Sequence, residues 1–127
     1  MLEESPSLRI KADLAQIKQV LINLVQNAAD AIGQDGVVTL RARRDRKRLE
    51  NTERNVIVLE VEDNGKGIPP DVQKRLFDPF FTTKETGTGL GLSIAAGIVQ
   101  KHGGALQYQT RVDHGTTFGI ILPEAME

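Results

Sequence analysis

The sequence contains no cysteine and no tryptophan, and its large aromatic residues are only four phenylalanines and one tyrosine. Without cysteine there is no disulfide, no thiolate metal site and no thiol nucleophile, a pattern typical of the cytoplasm. So few aromatic side chains argue against a base-stacking surface for single-stranded nucleic acid. The net charge of −1 gives no overall field that would attract nucleic acid or an anionic membrane. We therefore expect a cytoplasmic domain that does not bind nucleic acid.

Long apolar runs are also missing from the chain. No stretch approaches the roughly 20 residues of a membrane-spanning helix, and no signal peptide opens the sequence. We expect this segment to make no membrane contact, whether or not its parent protein is anchored in a membrane. The length of 127 residues suits one domain with a single hydrophobic core, which we place at residues 8–123.

Three glycines at every second position precede a helical apolar pattern that runs from Leu90 to His102. These are Gly87, Gly89 and Gly91. Glycine allows close backbone approach, and the free N–H groups and dipole of a helix start favour an anion, so phosphate is the expected ligand. The spacing matches neither the P-loop nor the dinucleotide G-x-G-x-x-G motif. A flexible loop without a ligand is the alternative.

A long helix is predicted from Asp13, a suitable N-cap, to Ile32, with Gly33 at its end. One face carries an apolar stripe made of Leu14, Ile17, Leu21, Leu24, Val25, Ala28 and Ile32. The opposite face carries amides and an acid rather than the usual Lys and Glu: Gln16, Gln19, Asn23, Asn27 and Asp30. Asn23 and Asn27 lie one turn apart, so their oxygens suit a Mg²⁺ ion that also binds phosphates and water. An ordinary solvated face is the alternative.

Alternating patterns predict two strands, at residues 37–43 and 55–62. The charged segment 44–54 between them is predicted to be a solvated loop. A nucleic-acid patch is the alternative for this segment, but three acids interrupt its basic residues and no aromatic residue accompanies them.

Asp63 follows the second strand and precedes a turn that contains Gly65 and Gly67. A carboxylate buried at this position would need a partner. The exocyclic amine of adenine would provide one, because the glycines let a flat ring come close. A simple turn is the alternative.

The last part of the chain predicts a closing hairpin of residues 105–111 and 116–122. On its second strand Thr116 points to the same side as the apolar residues Phe118, Ile120 and Leu122. His102 lies near a helix end and His114 in a turn, and we expect both to be structural.

Five short motifs follow one another along the chain: Asn23-Leu-Val-Gln-Asn27-Ala-Ala-Asp-Ala31, Asp63-x-Gly65-x-Gly67-Ile68, Phe77-Asp-Pro-Phe-Phe81, Gly87-Thr-Gly-Leu-Gly91-Leu92 and Gly115-Thr-Thr-Phe118. In this order they resemble the ATP-binding catalytic domain of bacterial sensor histidine kinases, in the superfamily shared with DNA gyrase, MutL and heat-shock chaperones. The resemblance extends from Asp13 to Pro123. Its Pro-Phe-Phe-Thr-Thr-Lys segment is most similar to kinases of the nitrogen- and oxygen-responsive type.

The resemblance implies a fold and a cofactor set. The fold is a two-layer α/β sandwich of the Bergerat type, with three helices on one face of a mixed sheet of about five strands. The cofactors are ATP and Mg²⁺. The whole of 1–127 would be one catalytic domain, and the dimerisation domain with its phosphoacceptor histidine would be absent.

The resemblance also implies roles for individual residues. Asn27 would bind Mg²⁺, with Asn23 close to the ion and the phosphates. Asp63 would accept from the adenine amino group, assisted by Thr116 through water. The pocket wall would be formed by Gly65, Gly67 and Ile68. The phosphates would be held at the helix start by Gly87, Thr88, Gly89, Leu90, Gly91 and Leu92, with Lys84 reaching them from a lid. A hinge and docking surface, or plain core packing, is implied for Phe77, Phe80 and Phe81.

One position separates a kinase from a hydrolase. In the superfamily's ATPases a Glu one turn before the metal-binding Asn activates water, and that place is Asn23 here. An amide takes no proton at neutral pH, so the resemblance implies a kinase that donates the γ-phosphoryl group to a histidine of a separate dimerisation domain. A response regulator would act downstream. Neither His102 nor His114 fits the setting of the family's acceptor histidine. A hydrolysing ATPase and a non-catalytic nucleotide-binding module are the alternatives.

Overall fold

The computed structural model describes residues 12–81 and 91–125. In chain order its elements are α1 (Leu14–Ala31), β1 (Val38–Leu49), β2 (Thr52–Asp63), α2 (Pro70–Gln73), α3 (Gly91–Lys101), β3 (Ala105–Arg111) and β4 (Gly115–Pro123). Within these ranges no helix is long and apolar enough to cross a membrane.

Helix α1 begins where its N-cap signal predicts. The Asp13 carboxylate accepts a hydrogen bond of 3.2 Å from the backbone N–H of Gln16, which satisfies one of the free donors of the first turn. Along the helix, Ile17, Leu24 and Ala28 are buried as predicted, and so is Val20, which the predicted stripe omits.

The strands form one sheet in the order β1-β2-β4-β3, and each neighbouring pair is antiparallel. Helices α1 and α3 pack on each other and on one face of this sheet. The predicted two-layer α/β fold is therefore confirmed. The described part of the sheet has four strands rather than about five, and it is antiparallel rather than mixed. The expected edge strand 8–10 lies outside the described residues.

The hydrophobic core lies between the helices and the sheet. It is made of Ile17, Val20, Leu24, Ala28, Val61, Ala95, Val99, Phe118, Ile120 and Leu122. The face predicted for the last strand is correct, because three of these residues come from alternate positions of β4.

The predicted loop at residues 44–54 is wrong. Strands β1 and β2 continue through it as a hairpin and turn only at Glu50 and Asn51. Both turn residues have positive φ angles, of 50° and 64°, as the tight turns that match strand twist require. Within this part of the hairpin, Arg46 of β1 lies 3.8 Å from Glu53 of β2, so charged pairs between the strands contribute to their contact.

Candidate functional site

A cavity of about 640 Å³ lies between the helical layer and the end of the sheet. Its walls come from α1, the turn after β2, the α2 region, the start of α3 and the β3–β4 turn. The predicted site residues that line it are Asn23, Asn27, Asp63, Gly67, Ile68, Gly91, Leu92 and Thr116. The structure thus brings together residues from both halves of the chain.

Asp63 is the buried carboxylate of this cavity, with 7% of its surface exposed. Its Oδ1 accepts a hydrogen bond of 2.9 Å from the Gly65 N–H. The described residues provide no second hydrogen bond to this carboxylate. Oδ2 is therefore the acceptor that this end of the cavity offers to a ligand.

The two turn glycines hold the segment after β2 in place. At Gly65 a side chain would overlap the carbonyl group of Ala31, and at Gly67 it would overlap that of Arg111. Gly67 also has a φ angle of +72°, which side chains disfavour. The turn is wedged between the end of α1 and the β3–β4 turn. Gly65 thus shapes the wall through close packing, while Gly67 lines the cavity itself.

Thr116 lies directly opposite Asp63, on the neighbouring strand β4. Its side chain is buried, and its Oγ1 is 2.8 Å from the Oγ1 of Thr110 on β3. Thr110 in turn accepts a hydrogen bond of 2.9 Å from the Ile68 N–H. Our sequence analysis missed Thr110. The sequence did contain a signal: Thr110 occupies every second position with Leu106 and Tyr108, so it lies on the same partly buried face of β3.

Asn23 connects α1 to the start of α3. Its Nδ2 donates to the Gly91 carbonyl oxygen at 3.1 Å, and its Oδ1 accepts from Gln19 Nε2 at 2.9 Å. Asn27 lines the cavity one turn further along α1. Of the predicted polar face, Asn23, Asn27 and Asp30 therefore line the cavity, whereas Gln16 and Gln19 do not.

Metal binding here would depend on these amides. The described residues contain no group of three or more His, Cys, Asp and Glu side chains that could hold an ion. Asn27 and Asn23 lie together at the cavity, and amide and phosphate oxygens are suitable ligands for Mg²⁺. The residues present therefore fit a magnesium ion that shares its coordination with a bound phosphate.

Part of the predicted site lies outside the described residues, namely Lys84, Gly87, Thr88, Gly89 and Leu90. Their roles at the phosphates stay predictions. Gly91 and Leu92 are described, and they form the first turn of α3 at the cavity wall.

The three predicted phenylalanines of the central motif have different environments. Phe77 packs on the core and lies 5.9 Å from the Tyr108 ring, centroid to centroid. Phe81 lines the cavity, with the Arg75 guanidinium 4.6 Å from its ring centroid. Phe80 is 74% exposed. Core packing therefore describes Phe77, while Phe80 is available for a contact outside the domain.

His102 has a structural place in the fold. Its Nε2 accepts a hydrogen bond of 3.1 Å from the Asp13 N–H, and its Nδ1 lies 2.8 Å from the Ile98 carbonyl oxygen. An imidazole nitrogen that accepts carries no proton, so Nδ1 is the donor. The ring joins the end of α3 to the start of α1.

The comparisons with known proteins agree on one family. The profile of the "Histidine kinase-, DNA gyrase B-, and HSP90-like ATPase" family matches residues 12–126. The sensor kinase CckA of Brucella abortus is 47% identical over 127 residues, which cover 93% of this chain. The histidine kinase/phosphatase NtrB of Salmonella typhimurium is 43% identical over 122 residues, also 93% of this chain.

Solved structures agree with the sequence relatives. The catalytic domain of histidine kinase ThkA is 38% identical with a TM-score of 0.70, over 91% of this chain and 70% of that one. Full-length ShkA in complex with AMPPNP is 30% identical with a TM-score of 0.76, over 97% of this chain and 24% of that one. The matched part is 13% of CckA and 35% of NtrB.

Proposed function

The chain belongs to the histidine kinase-, DNA gyrase B- and HSP90-like ATPase family, among the catalytic ATP-binding domains of sensor histidine kinases, and from this premise we propose its activity. It binds ATP with Mg²⁺ and donates the γ-phosphoryl group to a histidine on a separate dimerisation domain. A buried carboxylate beside a buried hydroxyl, in a cavity of nucleotide size, is the observation that carries the proposal.

The adenine end of the site is the Asp63 side. Asp63 accepts from the adenine amino group through Oδ2, and Thr116 acts beside it through a water molecule. A buried acceptor without its donor is costly, so a base that supplies the donor binds with selectivity. Ile68 and the backbone of Gly67 contact the face of the ring.

The phosphate end is the start of α3. Gly91 opens that helix, where free N–H groups favour an anion. The Asn23 hydrogen bond to the Gly91 carbonyl oxygen fixes this helix start against α1. The remaining phosphate ligands that we propose are Gly87, Thr88, Gly89, Leu90 and Leu92, with Lys84 as the cation that reaches the phosphates.

Asn27 is the proposed protein ligand for Mg²⁺, with Asn23 close by. A bound magnesium ion neutralises the negative charge that develops on the phosphates during transfer. What the chain itself contributes is positioning: α1 holds both amides at the cavity on one face of a rigid helix.

The site favours transfer over hydrolysis. Asn23 occupies the position at which, by the resemblance, the hydrolysing ATPases of the superfamily have a Glu that acts as general base. The amide of Asn23 cannot remove a proton from water. Both ends of that amide are already hydrogen-bonded, to Gln19 and Gly91. Phosphoryl transfer needs mainly positioning and charge stabilisation, so the acceptor can come from a partner.

That partner is a dimerisation domain with its phosphoacceptor histidine, and a response regulator receives the group next. Within this chain His102 is committed to contacts with Asp13 and Ile98, so we do not assign it as the acceptor. The chain matches only a minor part of its relatives' length, which leaves room for such domains in a parent protein.

Phosphoryl transfer in trans tests the proposal. The chain is incubated with γ-labelled ATP, Mg²⁺ and the dimerisation domain of its parent kinase. We expect base-stable, acid-labile label on that domain and none on the chain itself, with the Asp63→Asn variant much slower. Label on the chain, or release of free phosphate alone, would contradict it.

A further inference from the structure

The tip of the β1–β2 hairpin extends beyond the rest of the sheet. Strand β4 pairs with β2 only from Val56 to Asp63, so residues 46–54 form a two-stranded ribbon that no third described strand joins. This ribbon carries four basic and two acidic residues, in a chain whose net charge is −1. Its Arg54 lies about 30 Å from Asp63, at the usual rise per strand residue. A partner bound to the ribbon would therefore leave the nucleotide cavity open.

Two cations of the ribbon, Lys47 and Arg54, are directly opposed across the strands. Directly opposed residues of an antiparallel pair point to the same face, and like charges in this arrangement are destabilising. Lys47 Nζ lies 3.9 Å from Asp45 Oδ2, whereas none of the ion pairs between described residues involves Arg54. Arg54 is exposed, and Lys47 is partly so. The fold therefore keeps two like charges together at a site that solvent and a partner can reach.

The other face of the ribbon has a different charge arrangement. There Arg46 donates to Asn55 Oδ1 at 3.1 Å and lies 3.8 Å from Glu53. Arg48 is directly opposed to Glu53. On that face an acid lies across from a cation, and on the Lys47 face a cation lies across from a cation. Repulsion across the strands is thus confined to the face of Lys47 and Arg54.

We propose that Lys47 and Arg54 form a docking site for a protein partner that places an acidic side chain between them. A carboxylate has two oxygens and accepts hydrogen bonds from both cations at once. Its binding would replace one repulsion by two attractions. This docking site is independent of the proposed nucleotide activity.

A protein surface suits the ribbon better than nucleic acid or lipid does. Phosphate backbones and anionic membranes present negative charge throughout, but Asp45 lies beside Lys47 and Glu50 lies at the exposed turn. The hairpin, residues 38–63, contains no aromatic residue that could stack on a base. A surface with charges of both signs instead selects a partner whose charges have the complementary pattern.

The test measures binding of the whole chain to a fluorescent oligoglutamate peptide at physiological salt, with a short DNA duplex for comparison. Lys47→Glu and Arg54→Glu each reverse the charge of one cation, and Arg54→Lys keeps it. Arg48→Glu is the matched control, because it makes the same charge change in the same ribbon on the other face. Thermal unfolding and ATP binding are measured for every variant.

We expect the chain to bind the peptide more tightly than the duplex. Lys47→Glu and Arg54→Glu should each weaken peptide binding about fivefold, the size of one exposed ion pair, while Arg54→Lys keeps the affinity. Both reversals should raise the unfolding midpoint by about 1–4 °C, since each puts opposite charges across the strands. Arg48→Glu should lower the midpoint, because it faces Glu53, and should keep most of the peptide affinity. ATP affinity should be the same in all of these proteins.

Several results would overturn the proposed docking site. An equal loss of peptide binding in Arg48→Glu would show attraction by net charge alone. Tighter binding of the duplex would assign the ribbon to nucleic acid, and a chain that does not bind the peptide would have no such site. A lower unfolding midpoint in both Lys47→Glu and Arg54→Glu would contradict the repulsion between the two cations. Each of these results can be obtained whether or not the chain binds ATP, so they are distinct from a failure of the proposed function.

Discussion

Asp63 and Thr116 are directly opposed residues of β2 and β4, and their side chains are the two buried polar ones in the described part of the chain. The sheet therefore ends in a carboxylate and a hydroxyl that face one cavity from adjacent strands. Both residues belong to paired strands that pack on the hydrophobic core, so the hydrogen-bonded pairing of β2 with β4 sets the distance between them. A rigid pair of this kind is what selective recognition of a small polar ligand requires.

Gly67→Ala should destabilise the protein. The residue has a φ angle of +72°, and the added methyl group would overlap the Arg111 carbonyl oxygen. We expect a loss of more than about 1 kcal/mol in the free energy of unfolding, as for other strained backbone positions. Chemical denaturation followed by circular dichroism measures it.

Gly97→Ala is the matched control for that variant. Gly97 lies inside α3, and a methyl group there would meet no atom within 4 Å. Alanine should therefore stabilise the helix by about 0.5–1 kcal/mol. Equal effects of the two substitutions would contradict the claim that the Gly67 backbone is specifically constrained.

Asn27→Ala should weaken ATP binding only when magnesium is present. If Asn27 is the protein ligand of the ion, its removal lowers affinity in Mg²⁺ and has little effect in a chelator, since amide oxygens suit this ion. Nucleotide titrations under both conditions measure the difference. Lys18→Ala, an exposed position of the same helix, should change neither value. An equal loss in the chelator would instead indicate a direct contact with the nucleotide.

The ion pair between Arg41 and Glu62 should make a small contribution to stability that depends on pH. The hydrogen bond and charge of Arg41 hold the pKa of Glu62 below its ordinary value. Because the folded pKa is the lower one, this contribution is present above the ordinary glutamate pKa and is lost as the pH falls through the lowered value. The pair is exposed, so the effect should also shrink in high salt.

Comparison with Glu62→Gln measures that contribution. The difference in unfolding midpoint between the two proteins should be present at neutral pH and disappear in acid. A difference that is constant over this range would show that the charge of Glu62 is not involved.

Much of the fold could be predicted from local signals. The Asp13 cap, the left-handed stop of α3 at Gly103 with a φ angle of +74°, and the bounds of β3 all follow from residues close in sequence. The outer part of the β1–β2 hairpin could not. The less exposed positions of outer β1 carry the partly buried Asp45 and Lys47 before the buried Leu49. Because charged residues occupy these positions, the segment lacks the apolar alternation that indicates a strand and resembles a solvated loop when the sequence is read alone.

The site was predictable to a similar degree. Asn23, Asn27 and Asp63 were identified because their spacing or position is unusual for the element that carries them. Thr110 was not, because its partner Ile68 is 42 positions away and a threonine on a strand has no unusual feature by itself. The contact of Asn23 with Gly91 spans 68 positions and likewise appears only in the folded chain.

The central claim is that Asp63 anchors an adenine nucleotide in a site that does not hydrolyse it, and calorimetry with ATP and Mg²⁺ tests it most directly. We expect saturable heat with no continuing signal from the intact chain. Asp63→Asn should bind about 10- to 100-fold more weakly, because a hydrogen bond to a charged group contributes roughly 1.5–3 kcal/mol. Glu62→Gln, which alters the adjacent carboxylate on the other face of β2, should bind normally. Steady heat after saturation, or equal affinity of the intact chain and Asp63→Asn, would contradict the account.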